Sequence, residues 1–164
     1  MKSSEAMTTQ QIFRLVERLY KRQLFNEAAK LLKRVPPEHP WTVPQLILQG
    51  HIIELSGDSE EWSLADARKS YEKGLKIDPE NVDAMLELGW FHLHVMDNRS
   101  KALPYFEKAI SVLTRQFGEA LTGKAGCIEE ETSAKAASKF LQETFATFEK
   151  TVSSLPRFWK KEEV

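Results

Sequence analysis

The feature that most constrains the fold of this chain is a motif that occurs twice, thirty-five positions apart. Ala67–Gly74 reads ARKSYEKG and Ala102–Ala109 reads ALPYFEKA, so a small residue, an aromatic residue and Glu-Lys recur in the same order. A period of about 35 residues is typical of stacked pairs of antiparallel helices, because one pair cannot bury its apolar face without a neighbour. The motif therefore predicts an all-α chain whose helix pairs stack and leave a long concave surface.

Apolar residues at helical spacing extend this pattern along the chain and divide it into four predicted helix pairs. The predicted pairs are Ile12–Val35, Val43–Ile77, Val82–Ala109 and Gly118–Val152, the last of which is degenerate. We expect about eight helices, arranged as an α/α superhelical stack of antiparallel pairs. The predicted boundaries are a flexible N-terminus over residues 1–9, a repeat domain over 10–153 and a C-terminal tail over 154–164.

The two middle pairs carry a more specific pattern of residues. In the third pair, Leu88-Gly89 is followed by an aromatic residue, a turn, and the Ala, Phe and Ala of the second motif. The second pair ends in Ile77–Asn81, where Pro79 stops the helix. These features resemble the tetratricopeptide repeat (TPR) family, in which small residues such as Gly89 let two helices approach to about 8 Å. A generic helical bundle, in which the same stripes are simply core, is the rival fold.

Charge and composition argue against several classes of function. The chain has 23 basic and 24 acidic residues and a formal net charge of -1, whereas nucleic-acid and anionic-membrane binders need a basic surplus. Cys127 is the only cysteine, so no disulfide can form within the chain, and we interpret it as a buried structural residue. The sequence has neither an apolar leader nor a run of about 20 apolar residues, so a cytoplasmic protein is expected.

Two sequence features suggest chemistry, but neither predicts an active site. Gly118–Ala125 resembles a phosphate-binding loop, but Ala125 replaces the hydroxyl residue that holds magnesium. We expect a helix start there instead, after a helix end at Ser111–Gln116. His92 and His94 point about 200° apart on one helix and cannot bind one metal ion together, and His92 is predicted to be packed. With no Ser/His/Asp arrangement either, we predict no enzyme, no metal and no cofactor.

The TPR resemblance implies which side chains line the concave groove, because in that family the first helix of each pair faces it. The implied residues are Phe13, Glu17, Tyr20 and Lys21 in the first pair, Ile47, His51, Glu54 and Leu55 in the second, and Asp83, Leu86, Trp90, Leu93 and His94 in the third. Several are apolar or aromatic, and an exposed apolar patch with Trp and Tyr is typical of a binding site. The alternative is that the C-terminal helix, or the tail with Phe158 and Trp159, covers them.

The predicted function is that of an adaptor or chaperone that binds an apolar or amphipathic protein segment in the groove, with Trp90 and Leu93 as central anchors. TPR proteins that grip the acidic C-termini of chaperones use Lys and Asn in the first repeat. This chain has Phe13 and Glu17 there, so that mode is not expected. Two alternatives stay open: a dedicated neutralising or secretion chaperone, of the immunity type, that binds one specific partner, and a self-associating scaffold such as a homodimer.

Overall fold

The structure is a computed structural model that describes residues 7–58 and 61–154. Within these residues it contains seven α-helices and a π-helical turn. In chain order they are α1 (Thr9–Lys21), α2 (Phe25–Leu32), α3 (Val43–Ser56), α4 (Leu64–Ile77), α5 (Val82–Trp90) with the π-helical turn Phe91–Val95 directly after it, α6 (Arg99–Glu131) and α7 (Ala134–Ser154). Consecutive helices from α1 to α5 pack on one another, which confirms the predicted all-α fold of stacked helix pairs.

Local signals in the sequence set several helix ends. Three helices follow a residue whose backbone amide donates to the side chain three positions later. The pairs of residues are Thr8–Gln11 before α1 (2.8 Å), Thr42–Gln45 before α3 (3.0 Å) and Ser63–Asp66 before α4 (3.1 Å). Gly57 ends α3 with a φ of 72°, a conformation that glycine adopts without the strain that a Cβ would bring. Local hydrogen bonds and a glycine thus set these helix ends, and packing between helices then adds to their stability.

Both copies of the repeated motif pack an aromatic ring against a glycine. A Cβ atom at Gly89 would lie 2.6 Å from Cε1 of Phe106, and one at Gly50 would overlap the ring of Tyr71. In each pair, the aromatic residue of the second helix therefore sits directly on the backbone of the first. The predicted role of Gly89 as a small residue at a close helix contact is confirmed.

The apolar core of these pairs consists of three clusters, each shared between neighbouring pairs or helices. The first contains Val16, Leu32 and Ile52, the second Ile53, Tyr71 and Leu88, and the third Met85, Ala109 and Val112. Because each cluster draws on more than one helix, no single helix could bury its apolar face alone.

The prediction of a break before Gly118 was wrong, because α6 is one continuous helix of 33 residues. Among the described residues, no atom beyond the adjoining residues and backbone of α6 lies within 4 Å of a Cβ built at Gly118 or Gly123, so these glycines serve no turn or close contact. Each costs a helix about 1 kcal/mol, which the surrounding helix-forming residues offset. The described residues therefore hold seven α-helices where about eight were expected. Cys127, predicted to be buried, is exposed on this helix.

A widened helical turn follows α5. The π-helical turn Phe91–Val95 ends where the amide of Met96 donates to the carbonyl of Phe91 (3.1 Å). His92 lies in this turn, is buried, and stacks on Tyr105 with ring centroids 5.7 Å apart. The prediction that His92 is a packed residue is confirmed.

The chain falls into two compact units, Met1–Val112 and Leu113–Val164. The described part of the first holds α1 to α5 and the first turns of α6, and that of the second holds the rest of α6 and α7. In the second unit, Leu121 and Ala137 are buried. The tail with Phe158 and Trp159 lies outside the described residues, as do residues 1–6. The boundaries at residues 9 and 154 stay predictions.

Candidate functional site

Side chains from α1, α3 and α5, the first helices of the three pairs, meet on one face of the first unit. The ring of Tyr20 in α1 stacks on His51 in α3, with the centroids 6.3 Å apart and the planes at 18°. His51 Nε2 in turn pairs with Oε2 of Glu87 in α5 at 2.9 Å. A row of side chains therefore crosses all three helices, and we call the face of α1, α3 and α5 that carries it the groove face.

The predicted groove residues differ in how far a partner can reach them. Phe13 is only 6% exposed and packs against His39 and Trp41, with ring centroids 5.3 and 5.4 Å away, so it is a core residue. The half-buried residues are Tyr20, Ile47, His51, Glu54, Leu86 and Leu93. The exposed residues are Glu17, Lys21, Leu55, Asp83, Trp90 and His94.

A polar cluster lies on the groove face and is formed by Tyr20, His51, Glu54, Tyr71 and Glu87, which we call the groove cluster. The ring of Tyr71 meets that of His51 edge-on, with centroids 6.0 Å apart. Tyr71 also lies close enough to Glu54 to lower the pKa of the Glu54 carboxyl group. Among the described residues, however, neither Oε1 of Glu54 nor the Tyr71 hydroxyl has a hydrogen-bond partner of good geometry, although both atoms are shielded from solvent.

The surroundings of the groove cluster shift the pKa of three of its groups. The hydrogen bond to Glu87 raises the pKa of His51 above its ordinary value, against the opposing effect of burial. Burial raises the pKa of Glu54, while Tyr71 and His51 partly offset that rise. Burial also raises the pKa of Tyr71, so its hydroxyl keeps its proton. The cluster thus combines two carboxyl groups and one imidazole whose charges depend on one another.

Trp90 is the large aromatic side chain that the groove face exposes most. It is 48% exposed at the end of α5. Its ring stacks on His94 with centroids 5.2 Å apart and planes at 8°, and meets Phe106 edge-on at 4.9 Å. These two contacts hold the indole in one orientation while leaving nearly half of it open to a partner.

Comparison with known proteins bears on the fold. No protein-family model matches the chain, and no curated protein matches it. The structure is similar to the crystal structure of MamA, a TPR-repeat protein, with a TM-score of 0.57, 19% sequence identity, and coverage of 88% of this chain and 80% of that chain. The chain has a TPR-like fold. The predicted resemblance is thereby confirmed at the level of architecture, with α1, α3 and α5 as the first helices of TPR-like pairs.

Two members of the groove cluster were missed as groove residues by the sequence analysis. Tyr71 was assigned only to the repeated motif, because in a TPR-like pair the second helix turns away from the groove. Glu87 was not assigned at all. Its signal was the spacing of Asp83, Glu87, Trp90 and His94, which recur at intervals of three or four positions and so share one helix face. An acidic residue in that row indicates a polar site beside the apolar anchors.

A second apolar surface lies within the second unit of the TPR-like chain. A hollow of about 400 Å³ lies between α6 and α7. It is lined by Phe117, Phe140, Glu143, Thr144, Thr147, Phe148 and Thr151. The rings of Phe117 and Phe148 stack 5.7 Å apart, and Phe145 and Val152 are exposed nearby along α7. This surface was not predicted as a site.

Two further observations concern classes of site. Over residues 7–58 and 61–154, no group of three or more His, Cys, Asp or Glu side chains is placed to hold a metal ion. In the same part of the chain, the helices lack the combination of length and apolar character that crossing a membrane requires.

Proposed function

We propose that this protein is a scaffold for protein–protein interaction that binds a segment of a partner on the groove face, as an adaptor or chaperone does. The observation that carries the proposal is Trp90, which is 48% exposed although its ring is fixed by His94 and Phe106. Interfaces favour Trp as an anchor, because burying it removes a large apolar area from water at a small loss of conformational freedom. The TPR-like fold supports the proposal, since stacked helix pairs present a long surface to one partner.

The neighbours of Trp90 favour an apolar or amphipathic partner segment. Leu86 lies one turn before Trp90 in α5, Leu93 follows it in the π-helical turn, and both are half-buried. Ile47 in α3 is half-buried as well. Covering such side chains stabilises a complex by about 25 cal/mol per Å² of apolar area removed from water, before the entropic cost of association. A segment with one apolar face would cover this row and keep its polar residues in water.

The proposal is tested by an affinity pull-down from source-organism lysate, followed by titration calorimetry with the purified partner. Three proteins are compared: wild type, Trp90→Ala, and Leu103→Ala as a control that removes another exposed apolar side chain of the first unit. We expect Trp90→Ala to weaken binding by about 2 kcal/mol or more, as for a central anchor. Leu103→Ala is expected to bind like wild type.

Equal binding by wild type and Trp90→Ala would contradict the proposal. It would move the interaction away from the groove face and favour the dedicated neutralising or secretion chaperone, which holds its one partner with another surface.

A self-associating scaffold is the second candidate function. The observation that favours it is the apolar surface of the second unit, where Phe145, Phe148 and Val152 are each about half exposed along one face of α7. A second copy of the chain would cover these residues, because large exposed apolar patches mark interaction surfaces. The two functions use different units and are compatible with each other.

A further inference from the structure

The groove cluster contains more acidic than basic groups. Glu54 and Glu87 are its two carboxyl groups, and His51 is its one basic group. Among the described residues, the groups that act on His51, Glu54 and Tyr71 include neither a lysine nor an arginine. Glu87 pairs with His51 directly, at 2.9 Å, so the two carboxyl groups share a single imidazole.

Glu54 has a neighbouring hydroxyl, that of Tyr71, whereas a carboxylate can accept several hydrogen bonds. Within the described part of the chain, Oε1 of Glu54 and the hydroxyl oxygen of Tyr71 are both shielded from water, yet neither has a hydrogen-bond partner of good geometry. Tyr71 is completely buried, with 0% of its surface exposed. The Tyr71 hydroxyl is the donor nearest to Glu54, and a ligand that brings N–H groups would fill the remaining acceptor capacity of the carboxylate.

The cluster is held in place by packing, so it is present before a partner binds. Tyr71 rests on the backbone of Gly50 and cannot move towards α3. His51 and Glu54 lie on successive turns of α3, and Glu87 comes from α5. The approach from solvent is open at the ion pair, where the side chains of His51 and Glu87 are 29% and 27% exposed. A binding group from solvent therefore meets the cluster at this pair.

The chemistry of the cluster fits a guanidinium group. Two carboxylates on adjacent helices suit a planar cation with several N–H donors, and arginine can satisfy both at once. The ring of Tyr20, half-buried at the edge of the cluster and stacked on His51, adds an aromatic contact for a guanidinium that enters beside it. Lysine supplies the charge but has no plane to stack and fewer donors.

Building on the groove-binding function proposed above, we propose that the partner segment carries an arginine that enters the groove cluster and pairs with Glu54 and Glu87 beside Tyr20. The arginine sits among apolar residues of the segment that cover Leu86 and Trp90. The groove face thereby selects segments that combine an apolar row with a basic residue, and it rejects segments with an acidic residue at that place.

The test is a selection of random peptides displayed on phage against four immobilised full-length proteins. These are wild type, Trp90→Ala, Glu54→Gln, and Glu72→Gln as a control that neutralises a half-buried glutamate of α4 outside the cluster. On wild type and Glu72→Gln, we expect to select peptides whose arginine content is several-fold above that of the library. These peptides should not bind Trp90→Ala. On Glu54→Gln, the arginine enrichment should disappear.

One selected peptide is then synthesised with arginine or with its uncharged isostere citrulline, and the affinities are measured by fluorescence anisotropy. We expect the citrulline peptide to bind wild type about tenfold more weakly, and to bind Glu54→Gln within about twofold of the arginine peptide. Thermal melting of each variant by circular dichroism checks that it is folded.

The possible results separate the two proposals. Peptides that depend on Trp90 but show no arginine enrichment would overturn the arginine proposal and leave groove binding intact. An equal effect of citrulline on wild type and Glu54→Gln would also overturn it, because the arginine would then pair elsewhere. A failure to select any peptide that depends on Trp90 would overturn groove binding, and the arginine proposal with it.

Discussion

At the scale of single residues, the glycines of this chain have opposite roles in its two units. Gly50 and Gly89 lie under the rings of Tyr71 and Phe106, where no side chain fits. Gly118 and Gly123 lie in the interior of α6, and among the described residues no atom beyond the adjoining part of α6 comes within 4 Å of a Cβ built there. The first pair of glycines makes close helix packing possible, whereas the second pair only weakens a helix.

These opposite roles predict opposite effects of the same substitution. Gly50→Ala should lower the free energy of unfolding by about 1–3 kcal/mol, because the new methyl group displaces the ring of Tyr71 from a packed core. Gly123→Ala should raise helix stability by about 0.5–1 kcal/mol. Urea denaturation followed by circular dichroism measures both. If Gly50→Ala had the same free energy of unfolding as wild type, α4 would be able to move away from α3 at no cost. That result would refute the close packing described for this pair.

At the scale of helices, α3 and α5 are tied together by the ion pair between His51 and Glu87 at 2.9 Å. Because Glu87 raises the pKa of His51, the folded state binds a proton more tightly than the unfolded chain does. The stabilisation is therefore fully present below the ordinary histidine pKa of about 6.5, and it is lost as the pH rises through the folded pKa.

This linkage predicts a pH-dependent contribution that Glu87→Gln abolishes. Between about pH 6 and pH 8.5, wild type should lose about 0.5 kcal/mol more stability than Glu87→Gln, a small value because both side chains are more than a quarter exposed. Burial lowers the pKa of His92, which changes stability in the opposite direction, so only the difference between the two proteins is informative. Identical pH profiles of their urea midpoints would contradict a stabilising role for the pair.

The helices also show why some features were predictable and others were not. The sequence pattern predicted a close helix contact at Gly89 because residue size and helical spacing determine it locally. The continuity of α6 was missed because Gly118 looks the same in a sequence whether it ends a helix or lies within one. The link from His51 to Glu87 was missed because it depends on the relative rotation of α3 and α5, which no local pattern specifies.

At the scale of the whole molecule, the two units expose apolar surface of different kinds. The first presents Trp90 among polar groups, a mixed surface suited to one specific segment. The second presents Phe145, Phe148 and Val152 along α7, next to a hollow of about 400 Å³. A surface that is apolar over several helical turns is costly in water unless another molecule covers it.

The self-association candidate predicts that the sedimentation coefficient of the wild-type chain rises with protein concentration. Phe145→Ser should remain monomeric over the same range, because it places a hydroxyl in the centre of the apolar face of α7. Leu103→Ser, an equally exposed position of the first unit, serves as the control and should associate like wild type. A wild-type protein that sediments as a monomer at every concentration would exclude this second function.

The exposed thiol of Cys127 has a practical consequence for all of these measurements. It is the only cysteine of the chain, and it lies on α6 within the second unit. A maleimide dye will therefore attach at one known position of the natural sequence and leave the groove face unmodified. Partner binding can then be followed on a fluorescent protein that carries no engineered residue.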